Sequence, residues 1–144
     1  MKLDYLHLRP EQSPPQFEPR PFRAIVVIDT TVRAAWRNKI SSWLVEAGCL
    51  YMMAWGIDCS TWDDSVDWAV IEAFSFEDAP DDRDVMTTWH EKQPLSDAFY
   101  FAGHWADHPS VELDETIIIH IAEDAQRSSL LQAYHDSQTS SEDD

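Results

Sequence analysis

The segment RAIVVIDTTVRAAWRNKISSWLVEAGCLYMMAW, residues 23–55, predicts a strand, a helix and a second strand in succession. Residues 23–29 form a short, nearly continuous apolar run rich in β-branched side chains, which is typical of a strand buried on both faces. Residues 49–55 form a second such run. Between them, apolar residues recur at spacings of three and four, as in an amphipathic helix, at Val32, Ala35, Trp36, Ile40, Trp43, Leu44 and Ala47. Thr30 or Thr31 can cap this helix and Gly48 suits its end.

The same alternation continues towards the C-terminus. A second helical pattern begins at Ser60 or Thr61 and places Asp63 and Asp64 in its first turn, where the helix dipole favours negative charge. The remaining predicted elements are a strand at residues 85–89, a helix at 94–106, a strand at 116–122 and a last helix at 123–136.

Four strand–helix repeats predict an α/β fold of three layers, with a mainly parallel four-stranded sheet and helices on both faces. This architecture is flavodoxin-like or Rossmann-like in the broad sense. Numbering only these four strands, we expect the sheet order 2-1-3-4. The alternative is an α+β fold in which residues 83–90 belong to a long helix.

Three segments divide the chain. Residues 1–22 form a Pro-rich N-terminal arm, since residues 9–22 hold five of the eight prolines and proline suits neither a helix interior nor a central strand. A short edge strand at residues 2–8 is an option. Residues 23–136 form a single α/β domain. Residues 137–144 are polar and acidic and are expected to be a disordered tail.

The net charge of −17 is unevenly distributed. Residues 1–40 carry seven basic and four acidic side chains, whereas residues 41–144 carry three basic and twenty-three acidic ones. Direct nucleic-acid binding through phosphates is not expected, because it needs Lys and Arg, and anionic membranes should repel the same surface. A protein partner with a basic surface, a cation, or mimicry of nucleic acid fits better, although the acidity can also serve solubility alone. The acidic helices could also hide a homodimer surface.

The cysteine count and the hydropathy pattern predict a cytoplasmic protein. The two cysteines, Cys49 and Cys59, are fewer than a disulfide framework usually needs. No apolar run approaches the roughly 20 residues that span a bilayer. The first ten residues lack the apolar core of a signal peptide.

Two stretches resemble a known family. YMMAWGIDCSTWDDSVD, residues 51–67, and VMTTWH, residues 85–90, look like signature segments of an uncharacterised bacterial family classed as a domain of unknown function. The resemblance covers most of residues 22–136 and implies a single domain of bacterial, cytosolic origin. Because that family has no assigned activity, the resemblance implies no catalytic residues.

Polar residues follow each predicted strand. In open parallel sheets, ligands bind at the carboxyl ends of the strands. With the order 2-1-3-4, Asp29 and Thr30 would face residues 88–91 across the crevice between the first and third strands. The candidate pocket comprises Asp29, Thr30, Asp58, Cys59, Trp62, Thr88, His90 and Glu91. His120 within the fourth strand is most simply a core or edge histidine with a satisfied hydrogen bond.

Recognised cofactor and catalytic motifs are missing. The chain has only three glycines and no glycine-rich phosphate loop, so no nucleotide cofactor is expected. The nucleophile pattern GxSxG is also absent. Cys59 could be a nucleophile with His90 or His120 as base, but the neighbouring aspartates would disfavour its thiolate.

A metal site is only weakly indicated. His104 and His108 lie four residues apart without a third ligand. Hard cations prefer oxygen ligands, and the weak candidates for such a site are Asp58, Asp63 and Asp64. The first-turn position of Asp63 and Asp64 explains those two residues without a metal.

Two functions remain open. The first is a small acidic bacterial protein that binds a basic protein partner, as an inhibitor, immunity factor or adaptor, without catalysis. The second is a small enzyme or ligand-binding protein with a site at the carboxyl ends of the strands, which could depend on a cation. Its site residues would be Asp29, Asp58, Cys59, His90 and Glu91.

Overall fold

The computed structural model describes residues 2–140, and it has the predicted α/β architecture with a parallel sheet between two helical layers. The elements in chain order are β1 Lys2–Leu8, β2 Phe22–Ile28, α1 Ala34–Ala47, β3 Cys49–Gly56, α2 Cys59–Ala73, β4 Met86–Trp89, α3 Leu95–His104, β5 Glu115–Ile121 and α4 Arg127–Ser140. All four strand pairings are parallel. The sheet has five strands, because β1 joins the four expected ones at the position proposed for an edge strand.

The predicted order of the strands is wrong. The sheet order is β1-β5-β2-β3-β4, so β2 lies between β5 and β3, and β4 pairs with β3 at the edge. Contacts between distant residues favour the observed order. The guanidinium of Arg23 in β2 donates to the carbonyls of Ala106 and Leu113 at 2.7 and 3.0 Å, and these bonds hold the segment before β5 beside β2. The α+β alternative is also wrong, because residues 86–89 are a strand.

Residues 9–21, the part of the arm between β1 and β2, take the place of a crossover helix. The steps from β1 to β2, β2 to β3 and β3 to β4 cross the sheet in one direction, and the step from β4 to β5 returns. Right-handed crossovers in one direction lie on one face. Helices α1 and α2 share a core with the partly buried Phe17 of the arm, whereas α3 and α4 pack in the second core.

Side chains and carbonyls fasten the arm to the domain. Phe17 packs edge-on against Trp43 of α1 with ring centroids 5.8 Å apart, and the indole nitrogen of Trp43 donates to the Pro15 carbonyl at 3.0 Å. Arg20 donates from Nε and Nη2 to the two carboxylate oxygens of Glu115, at 2.5 and 3.0 Å. The arm is therefore connected both to α1 and to the start of β5.

The helix starts differ from the expected ones. Helix α1 begins at Ala34 with Arg33 at the N-cap position, so neither threonine caps it. Helix α2 begins at Cys59, and its N-cap residue Asp58 has a left-handed φ of 55°. Asp63 and Asp64 consequently fall in the second turn of α2, where the dipole effect has faded.

The end of α4 also differs. The tail was predicted to begin at residue 137, but the helix continues to Ser140. Gln138 explains the extension, because its side-chain amide donates to the Phe99 carbonyl of α3 at 2.7 Å. Residues 141–144 lie outside the described part of the chain.

Candidate functional site

The revised strand order separates the predicted pocket residues. Asp29 follows β2 and His90 follows β4, and β3 lies between these two strands. Asp29 and Thr30 therefore do not face the residues at the end of β4 as expected. The carboxyl edge, meaning the edge of the sheet where the parallel strands end, instead carries one cluster of polar side chains around Asp29 and another around His90.

The first group is a hydrogen-bonded chain of Tyr5, His120 and Asp29. The Tyr5 hydroxyl lies 2.6 Å from Nδ1 of His120, and Nε2 of His120 lies 2.6 Å from Oδ2 of Asp29. Because the backbone N–H of Gln126 donates to the Tyr5 oxygen at 2.9 Å, the tyrosine proton is available for Nδ1. In this arrangement Nδ1 of His120 accepts and Nε2 donates to the carboxylate.

This chain holds a carboxylate at the edge where β2 and β5 meet. His120 is fully buried, as its position in an apolar strand predicts, whereas the Asp29 side chain is 41 % exposed. Burial raises the pKa of Tyr5, and the negative charge of Asp29 adds to the effect. Asp29 can therefore accept a hydrogen bond from a ligand. The sequence analysis missed Tyr5, because its contact with His120 depends on the pairing of β1 with β5.

The second group lies between the ends of β3 and β4. The Thr88 hydroxyl lies 3.0 Å from Nε2 of His90, and the His90 ring packs on Phe101 with centroids 4.9 Å apart. Burial lowers the pKa of His90, so its ring is neutral near pH 7. Cys59 is 3 % exposed, and burial followed by the charge of Glu91 raises the pKa of its thiol. A protonated, buried thiol is a poor nucleophile.

The remaining pocket residues line a very small space. Thr30, Asp58 and Trp62 border a pocket of about 10 Å³, which is barely room for one water molecule. Trp62 is buried and makes an edge-on contact with Trp36 at 6.4 Å. It is a core residue and cannot serve as a ligand platform.

His104 and His108 do not share a helix face. Helix α3 ends at His104, whose ring stacks on Tyr100. His108 lies beyond the helix, with Nε2 bonded to the Asp84 carbonyl at 2.7 Å. Its Nδ1 accepts the N–H of Ser110 at 3.1 Å.

A cluster of three carboxylates lies on α2. One oxygen from each of Asp63, Asp64 and Asp67 falls within 4.8 Å of the others. Burial raises the pKa of Asp63 and that of Asp67, and the neighbouring carboxylates raise both further. Asp58 is not part of this cluster. Asp67 was missed, although its spacing of four residues from Asp63 was a usable signal.

Large apolar side chains are exposed on α2 and just after it. Trp68 is 57 % exposed, Ile71 39 % and Phe76 72 %. Trp68 also borders a groove of about 310 Å³ between α1 and α2, together with Asp64 and Glu72. The sequence analysis missed these residues, although Trp68 and Ile71 lie off the inner apolar face of the helix.

The chain belongs to the family described as a domain of unknown function (DUF7684), whose model matches residues 3–137. This confirms the resemblance to an uncharacterised domain family. No curated protein matches the chain. Among residues 2–140, no helix combines the length and the apolar character needed to cross a membrane.

Proposed function

We propose that this member of the DUF7684 family binds a protein partner with a basic surface, without catalysis, as an inhibitor, immunity factor or adaptor. The proposed contact is the α2 surface, defined as Trp68, Ile71 and Phe76 with the surrounding acids Asp64, Glu72 and Glu77. One observation carries the proposal: large apolar side chains are exposed within the most acidic segment of the chain.

The apolar part of the α2 surface is continuous along the chain. Trp68 and Ile71 are three residues apart on one helix and are therefore neighbours on its surface. The N–H of Phe76 donates to the Ile71 carbonyl at 2.9 Å, which places the phenylalanine backbone directly after this face. Exposed aromatic residues in such a position are suited to anchor an interface, where a few of them supply most of the binding energy.

The acidic part specifies the partner. Residues 58–84 contain ten acidic side chains and one basic side chain, Arg83, giving a net charge of −9. A basic partner would be steered towards this field, whereas DNA, RNA and anionic membranes would be repelled. The compartment that we propose is the bacterial cytoplasm. Both cysteines are free and buried, as a reducing compartment allows.

The test compares three baits of the same chain in pull-downs at low salt. The baits are the wild type, Trp68→Ala and the control Trp105→Ala, which removes a tryptophan 66 % exposed at the end of α3. We expect a basic protein that the wild type and the control retain and that Trp68→Ala loses at least tenfold. Raising the salt concentration should slow its association, because the steering is electrostatic.

Two results would overturn the proposal. A partner that both tryptophan variants retain equally would not use the α2 surface. Concentration-dependent self-association that Trp68→Ala abolishes would make a second copy of this chain the occupant of the surface. Sizing chromatography of the three baits separates these outcomes.

A second candidate function, small-ligand binding or turnover at the carboxyl ends of the strands, is favoured by Asp29 alone. Its half-exposed carboxylate is held in place by the buried His120, so that it could accept hydrogen bonds from a cationic ligand. Screening amine-containing fragments by NMR tests this function. Shifts at Asp29 and Gln126 that vanish in Asp29→Asn would support it.

A further inference from the structure

The position of Asp63 needs an explanation other than the helix dipole. Because α2 begins at Cys59, Asp63 is in the second turn, beyond the reach of a first-turn dipole effect. Its side chain points into the protein, and the residue is only 6 % exposed. A buried carboxylate is normally paired or bound to a metal, because desolvating a charge is costly.

The hydrogen bonds around Asp63 are incomplete. Its Oδ1 atom is buried and has no hydrogen-bond partner within residues 2–140. The Thr87 hydroxyl of β4 is within reach of the Asp63 carboxylate, but it donates to Oδ1 of Asp67 at 2.9 Å. A hydroxyl has a single proton, so Thr87 cannot serve both carboxylates.

The spacing of the carboxylates matches a cation. One oxygen from each of Asp63, Asp64 and Asp67 lies within 4.8 Å of the other two. Two oxygens on opposite sides of a Ca²⁺ ion are about 4.8 Å apart, since each Ca²⁺–O distance is about 2.4 Å. Mg²⁺ needs Mg–O distances of about 2.0–2.1 Å and near-ideal octahedral geometry, whereas Ca²⁺ accepts irregular sets of oxygen ligands such as three carboxylates from one helix.

We propose that Asp63, Asp64 and Asp67 bind a divalent hard cation, with Ca²⁺ preferred over Mg²⁺. The all-oxygen ligand set favours such ions over zinc, which prefers nitrogen and sulfur. Asp64 and Asp67 are exposed, so water can complete the coordination. Asp63, which carries the unpartnered buried oxygen, would be the inner ligand, and the cation would neutralise the three carboxylates of α2 beside the edge strand β4.

The experiment titrates CaCl₂, and separately MgCl₂, into the EDTA-treated full-length chain by calorimetry. We expect saturable 1:1 binding of Ca²⁺, weaker binding of Mg²⁺ and an increase in melting temperature with Ca²⁺. Asp63→Asn should weaken Ca²⁺ binding at least tenfold and abolish the melting-temperature increase. The control is Asp78→Asn, which removes the same charge from an exposed position in the same acidic segment.

Three results would overturn the inference. Titration without saturation in the wild type would show only diffuse counterion association with an acidic surface. An equal loss of binding in Asp78→Asn would have the same meaning. Asp64→Asn serves as the second variant if Asp63→Asn fails to fold, because Asp64 is exposed. The third result is an unchanged Ca²⁺ affinity in Asp64→Asn, which would exclude the three-carboxylate site.

Discussion

The ion pair between Arg20 and Glu115 offers a quantitative test of how the arm is held. Its two hydrogen bonds measure 2.5 and 3.0 Å, and Lys2 adds a third charge 3.5 Å from Glu115. The Glu115 side chain is only 9 % exposed, whereas that of Arg20 is 37 % exposed. We expect Glu115→Gln to weaken the attachment of the arm while preserving the shape of the side chain.

The magnitude follows from the pKa of Glu115. Hydrogen bonding to Arg20 lowers this pKa from 4.5 to about 2. One pKa unit corresponds to about 1.4 kcal/mol, so the full shift would correspond to about 3 kcal/mol. Water screens a pair of which one member is more than a third exposed, so we expect Glu115→Gln to lower the free energy of unfolding by about 2 kcal/mol at pH 7.

The pH dependence separates charge from packing. Since folding depresses the pKa of Glu115, the stabilisation is complete above 4.5 and is lost as the pH falls through about 2. Urea unfolding of the wild type and of Glu115→Gln at pH 7, 5.5, 4 and 3 should show a constant difference at the two higher values. The difference should shrink at pH 4 and further at pH 3.

Two outcomes would contradict this reasoning. A difference that stays constant down to pH 3 would mean that Glu115 acts through packing alone. No difference at pH 7 would mean that the pair contributes nothing measurable. Glu18→Gln is the matched control, because Glu18 is an exposed acid of the same arm, and it should change the free energy of unfolding by less than about 0.5 kcal/mol.

Three further predictions concern a tight turn, a buried hydrogen bond and the two thiols. Gly56→Ala should destabilise the protein by about 2–4 kcal/mol in urea unfolding, because Gly56 has a φ of 110° and a Cβ there would lie 2.2 Å from the Ile28 carbonyl oxygen. Tyr5→Phe should cost about 1–3 kcal/mol and speed amide hydrogen exchange at Gln126, because it leaves Gln126 N–H and His120 without the hydroxyl. Both thiols should resist iodoacetamide at pH 7.5 in the folded protein and react fully in urea, as counted by mass spectrometry, because burial raises the pKa of Cys59 and raises that of Cys49 to about 12.

The helices and strands could be predicted because their signals are local. Residues 22–28 and 115–121 are buried along their whole length, and a strand covered on both faces shows this as a continuous apolar run. The left-handed residue at the end of α1 was also predictable, since Gly48 has a φ of 102° there. The strand order was not, because it depends on contacts between distant residues such as Arg23 and Leu113.

In the candidate site, too, the contacts between distant residues could not be predicted from the sequence. Cys59 and Glu91, at the ends of β3 and β4, lie close enough for the charge of Glu91 to raise the pKa of the Cys59 thiol, whereas the predicted order 2-1-3-4 put another strand between these two. Asp29 was matched with the wrong strand, so His120 was missed as its partner and Tyr5 was missed as the partner of His120. The helix start was misplaced by one or two residues, and this small shift gave Asp63 a first-turn explanation that it does not have.

Solubility alone would explain a negative charge spread evenly along the chain, but the negative charge of this protein is concentrated in one segment. Residues 58–84 make up 27 of 144 residues, yet they hold −9 of the net −17. A charge kept only for solubility works best when it is spread over the surface, because a concentrated field of one sign favours binding of opposite charges. The same segment exposes Trp68 and Phe76, which is unfavourable for a protein selected for solubility alone. Acid and exposed aromatic residues at one place are what a binding surface for a basic partner requires, and this coincidence, more than the total charge, is what the Trp68→Ala comparison tests.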